Sequence, residues 1–294
     1  MLGVVGQQSR KELWMWRIIF FITIAVFFFK KDSNQNPEIK DDSIVRTELY
    51  TDLVYDDQLI NNIYDLAEND KVKAVLLKMN CPGGEITASE AIYQALSAVK
   101  ARKPLVISVG TVAASGGYLA SIAAHKIYAY ESSTIGSIGV MNSGFIDASV
   151  LEEKLGIKFF NYKSSSLKAL PDTYDVFGLR FSKKPDQAGE KHLQEIINEM
   201  QSIFKDIVQK NRPQIKDLEY VTNGMAFTGR HSLELGLIDA IGTDRDAMND
   251  LQTNFNLKAQ LPIVNYNIVP IYPEEKGGFF SKALSLLLSK IISG

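Results

Sequence analysis

The stretch VKAVLLKMNCPGGEITASEAIYQALSAVKARKPLVISVGTVAASGGYLA, residues 72–120, decides the fold. It opens on the apolar run Val72 to Met79 and resumes one at Pro104 to Val109, each of a length suited to a buried strand. Between them Ala88, Ile92, Ala95, Leu96 and Val99 recur at helical spacing and predict a helix with one apolar face laid on a sheet. A further short strand is predicted at Ile127 to Tyr130. Strands alternating with amphipathic helices indicate an α/β fold.

Two glycine pairs, Gly83-Gly84 and Gly116-Gly117, fall where a strand hands over to a helix. A helix amino terminus presents unpaired backbone N–H groups, and glycine lets a negatively charged oxygen approach them closely. A tight turn needing positive φ would use the same residues. In AASGG, Ser115 sits at the strand-to-helix corner among residues too small to shield its hydroxyl, with the Gly116 N–H beside it, as a nucleophile requires. Close helix packing is the structural reading of the same small residues.

A serine hydroxyl needs a base. His125 follows an apolar helix, His192 lies on a charged helix face and His231 lies in a TGRHS turn, so each reads as a surface residue. A desolvated lysine can replace histidine. Lys163 and Lys168 in NYKSSSLKALP are the candidates, and spacing alone does not choose between them.

Composition narrows the classes. The 294 residues are 46% hydrophobic and carry a net charge of −2, so the chain can bury a sizeable core and offers no basic excess for nucleic acid. The single cysteine, Cys81, excludes an intramolecular disulfide, and the histidines show no metal-ligand spacing, so no metal or cofactor is expected.

Residues 1–12 read as an N-terminal tail. LWMWRIIFFITIAVFFF, residues 13–29, is apolar except for Arg17 and reads as a transmembrane anchor; Lys30-Lys31-Asp32 stands where a cleavable signal would have small residues. A slight positive excess before the span favours a cytoplasmic start and an exported domain. Residues 30–43 form a polar linker, 44–270 the globular domain, and 271–294 an amphipathic segment suited to a membrane, a neighbouring subunit or the domain surface. Residues 186–210 predict a long helix whose stripe from Leu193 through Met200, Ile203, Phe204 and Ile207 is assigned to core packing.

NCPGGEI, VAASGGYLASIAAHKIYA, STIGSIGV, KSSSLKALP and FTGRHSLELGLIDAIG stand in the order and spacing of the signal peptide peptidase A family of serine peptidases, which the chain resembles over about residues 70–250. The resemblance implies the crotonase-like (Clp protease-like) spiral of strand-turn-helix units, here in a short single-domain form. It places the nucleophile on Ser115, the general-base lysine on Lys168 and the hydroxyl that orients the amine on Ser137. The N–H groups of Gly84 and Gly116 become the oxyanion hole, so two distant glycine pairs would frame one intermediate. Cys81 replaces the serine usual before the Pro-Gly-Gly turn.

It further implies a single-pass enzyme of the cytoplasmic membrane, cutting remnant signal peptides and other short apolar peptides in homo-oligomeric rings with shared sites. A non-catalytic crotonase-like scaffold would keep the glycine turns without needing Ser115 or Lys168. An acyl-CoA hydratase or isomerase would share the oxyanion geometry.

Overall fold

The computed structural model describes residues 36–270 apart from 143–145, 148–161, 166–167, 169–171, 177–178, 184, 256 and 258–260. The chain divides into a compact unit Ile39–Pro270 and a second unit, Met1–Glu38 with Ile271–Gly294. The expected anchor at 13–29 and the segment 271–294 lie outside the described residues. Among those described, no helix is long and apolar enough to cross a membrane.

The larger unit is built on an eight-stranded sheet. Its path begins with β1 (Ser43–Leu49), helix α1 (Asp57–Glu68), β2 (Val72–Cys81), α2 (Ile86–Arg102) and β3 (Leu105–Ala114). All three strands run parallel, with Val75 to Met79 paired to Leu105 to Val109. Ala88, Ile92, Ala95, Leu96 and Val99 are all buried, so α2 lays the predicted face on the sheet. Helix α1 is started by Asp56, whose carboxylate accepts the Gln58 and Leu59 N–H groups, satisfying two of the donors a helix start leaves unpaired.

The short helix α3 (Gly116–Ser121) follows β3 directly, then β4 (Lys126–Ala129) and β5 (Thr134–Gly136). Strand β3 is longer than its apolar run suggests because it serves two partners. Val106 to Val109 pair with β4, whereas Val112 to Ala114 pair with β5. The β2–β3 register shifts between Met79 and Cys81, and the Asn80 side-chain oxygen accepts the Val112 N–H at 3.1 Å beside that irregularity. Ser133 ties the fork together, donating to the Gly110 carbonyl and accepting the Tyr130 N–H.

A separate three-stranded sheet is formed by β6 (Ile146–Asp147), β7 (Asp172–Val176) and β8 (Leu179–Lys183). The long helix α4 (Gln187–Asn211) comes next, then α5 (Leu218–Val221), β9 (Ala226–Thr228), α6 (Gly229–Glu234), β10 (Ala240–Ile241), α7 (Asp244–Asn254) and β11 (Ile263–Asn265). Strand β9 pairs antiparallel with β5, β10 extends the sheet beyond β4, and β11 extends it beyond β1.

Helix α4 docks through its C-terminal half. Phe204 and Val208 are buried, while from Gln187 to Glu199 only Gly189 is. At its end the buried Arg212 donates through Nε and Nη2 to the Gly236 carbonyl and through Nη1 to Asp239 at 2.9 Å. The assignment of the whole apolar stripe to the core is therefore corrected: Ile196 and Ile203 are exposed. Helical period records that a face is apolar, not what covers it.

Candidate active site

Ser115 stands at the turn from β3 into α3 with φ 49° and ψ −123°, a region that residues with a side chain rarely occupy. The turn is held from both sides. The Ser115 N–H donates to the Gly136 carbonyl at 2.8 Å, and its carbonyl accepts the Leu119 N–H at 3.0 Å. Strain of this kind persists only where surrounding bonds over-determine it, and the half-buried Ser115 lines an open cleft.

The other glycine pair comes to the same place. Gly83 has φ 118°, and a β-carbon on it would fall 2.9 Å from the Ser115 β-carbon and 3.1 Å from the Gly116 nitrogen. Gly84, at φ 153°, is fixed by a parallel bridge to Leu53: the Leu53 N–H donates to the Gly83 carbonyl and the Glu85 N–H to the Leu53 carbonyl, both at 2.7 Å. These bonds leave the Gly84 N–H unused. Among the described residues neither it nor the Gly116 N–H donates to a protein acceptor. Two backbone donors beside one serine can hold an oxygen that develops negative charge.

Packing beneath α3 explains the remaining small residues. A β-carbon on Gly117 would come 2.3 Å from the Cys81 carbonyl oxygen, and one on Gly116 would collide with the Ser89 hydroxyl. Cys81 is fully buried, its sulfur accepts the Gly83 N–H at 3.4 Å, and burial pushes its thiol up to about 11. The thiol therefore supports the glycine turn and is no nucleophile at neutral pH.

A solvent-open cleft leads from this corner. One wall is the start of α2 with Leu119 of α3; the other is Met200, Ile203, Phe204 and Ile207 of α4; Gly139 and Val140 also line it. The stripe of α4 thus faces the candidate nucleophile. Ser89 and Glu90, which motif reading passed over, line the cleft as well.

Of the remaining expected residues, Ser137 directly follows Gly136, whose carbonyl accepts the Ser115 N–H. Ser137 has φ 48°, is half-buried, and donates its N–H to the Met225 carbonyl at 2.8 Å. Lys168 is exposed; its backbone N–H donates to Ser165 at 3.2 Å. Among the described residues no hydrogen bond joins Lys168 to Ser115 or Ser137, and neither Lys168 nor Ser137 lines the cleft. Lys163 is half-buried. The imidazole of His125 accepts the Leu105 N–H at Nδ1 and packs edge-on to Phe255, a structural role away from the cleft. No group of acidic, histidine or cysteine side chains among the described residues could hold a metal ion.

A mixed, mainly parallel α/β sheet with a strained serine at a strand-to-helix corner beside two free backbone N–H groups is of the Clp protease-like class, and the Clp protease profile matches residues 38–135. The Peptidase family S49 profile matches residues 97–258, and the chain belongs to that family. A Methanocaldococcus jannaschii protein named as a candidate protease is 33% identical over 223 residues, 75% of this chain and 67% of its own. An Enterococcus faecium protein named as a candidate signal peptide peptidase SppA is 33% identical over 195 residues, 66% of this chain and 54% of its own. The matched region thus spans between about half and two thirds of these relatives. Among solved structures, a 1510-N membrane-bound stomatin-specific protease is similar at 15% identity and a TM-score of 0.47, over 80% of this chain and 99% of that one.

Proposed function

We propose that this chain is a serine endopeptidase in which Ser115 attacks the peptide carbonyl and the N–H groups of Gly84 and Gly116 hold the resulting oxyanion. The observation that carries the reading is the strained Ser115 set against Gly83, with the unused N–H groups of Gly84 and Gly116 beside it. Lys168 serves as the base once neutral, taking the hydroxyl proton and returning it to the leaving amine, and Ser137 orients the amine. The exposure of Lys168 is compatible with donation to the site of a neighbouring copy in a closed ring. The strand-turn-helix spiral, an anchor at 13–29 in the cytoplasmic membrane with the domain exported, and short apolar peptide substrates complete the proposal.

Labelling of the purified full chain with a fluorophosphonate probe tests it. The probe is expected on Ser115 by peptide mass analysis and absent from Ser115→Ala. A folded wild-type protein that takes up no probe would favour the scaffold or hydratase readings instead.

A further inference from the structure

The cleft beside Ser115 is apolar along Leu119, Met200, Ile203, Phe204 and Ile207, yet one acidic residue, Glu90, is part of its lining. Glu90 lies on α2 directly after Ser89, whose hydroxyl abuts Gly116 at the proposed oxyanion site. Glu90 is half-buried, and Gln94 Nε2 donates to its Oε1 at 3.1 Å. Among the described residues it forms no ion pair, its second oxygen has no partner, and no basic side chain lines the cleft.

We propose that Glu90 is a specificity residue that selects, next to Ser115, a peptide side chain with a long aliphatic stem and a cationic tip, lysine or arginine. The claim rests on the peptidase reading and narrows its expectation of purely apolar peptides. A wholly apolar side chain filling the cleft takes water from the carboxylate and returns nothing, and a polar group left so costs free energy. A lysine or arginine stem buries its methylenes against Leu119 and the α4 wall while its head replaces the lost water with a charge-assisted hydrogen bond. Asparagine or glutamine could hydrogen-bond there without the charge; norleucine could fill the apolar part alone.

The test is a binding measurement that needs no turnover. Fluorescein-labelled acetyl-Ala-Ala-X-Ala-Ala peptides, with X lysine, acetyl-lysine or norleucine, are titrated into full-length Ser115→Ala by anisotropy, then into the same protein carrying Glu90→Gln. Lysine is expected to bind about tenfold tighter than norleucine or acetyl-lysine, and Glu90→Gln to remove that ratio. Unchanged melting temperature and circular dichroism show that the variant is folded. Equal affinities for the three peptides, or a lysine preference that survives Glu90→Gln, overturn the assignment, as does the absence of binding by any peptide. Hydrolysis of the same peptides by the wild type separates the claims: a Glu90-dependent lysine preference without cleavage would sink the peptidase reading and leave the specificity of the cleft standing.

Discussion

Gly83 and Ser115 touch across the strand-to-helix turns of two successive units, with room for no atom between them: a β-carbon on Gly83 would lie 2.9 Å from that of Ser115. The contact explains why glycine occupies position 83, where φ is 118°. It also couples the proposed oxyanion donors mechanically to the proposed nucleophile.

Gly83→Ala is therefore expected to displace Ser115 and to cost about 1–3 kcal/mol in a strained conformation. Urea unfolding should show the lowered stability. The fluorophosphonate labelling rate should fall at least tenfold even at temperatures where the variant is folded; labelling at the parent rate would show that the contact does not set the serine's position.

Ser115→Gly and Ser115→Ala should both be inactive, but they should differ in stability. Glycine relieves the penalty of φ 49° whereas alanine retains it, so the glycine variant should be the more stable by about 1 kcal/mol. Equal unfolding midpoints would mean that the corner stores no strain.

Arg212→Ala should loosen the cleft wall from outside the cleft. The guanidinium is buried and joins the end of α4 to Gly236 and Asp239, so its removal leaves Asp239 without its ion-pair partner and should cost about 3 kcal/mol. Peptide affinity should weaken as well, because Phe204 and Ile207 lie eight and five residues before the lost anchor. Hydrogen exchange along Met200 to Asn211 should rise; unchanged protection there would show that the helix is held by its apolar contacts alone.

Lys103 gives a pH dependence of definite sign. It is buried, donates to the Asn69 carbonyl, and burial lowers its ammonium from 10.5 to about 8. Between pH 8 and the unfolded value near 10.5 the unfolded chain binds the extra proton, so stability contributed by this group rises with pH across that window. The difference in unfolding free energy between wild type and Lys103→Met should shift in favour of wild type from pH 8 to pH 10. A difference independent of pH would show that the side chain reaches water when charged.

If Lys168 acts on a neighbour's Ser115, co-expression of Ser115→Ala with Lys168→Ala should restore activity that neither variant has alone. Random mixing in a ring gives about one working site in four. Verified mixed assemblies without activity would place the dyad within one chain.

Much of this arrangement was legible in residues 72–120, because strand and helix there follow the apolar period and the glycines coincide with two real close approaches. Other parts were not, for reasons of packing. The stripe on α4 has the same period whether it meets a core or a cleft, and only the tertiary path sends Met200 and Ile203 to the latter. The fork in β3 depends on Asn80 and Ser133, single polar residues whose partners carry no local signature. Glu90 carries no signature in the sequence that separates it from any other polar position on an amphipathic helix. The lysine assignment came from resemblance, and Lys168 stands exposed in this chain without a bond to Ser115.

The bonds that strain Ser115 reach far along the chain: Ser115 leans on Gly136, the next residue Ser137 leans on Met225, and β9 closes the open edge of β5. During synthesis the ribosome delivers the serine and both glycine pairs long before it delivers residues 225–228. Until those emerge, the corner lacks the outer brace that holds its geometry. The geometry of Ser115, the proposed nucleophile, is thus complete only after most of the chain has been made.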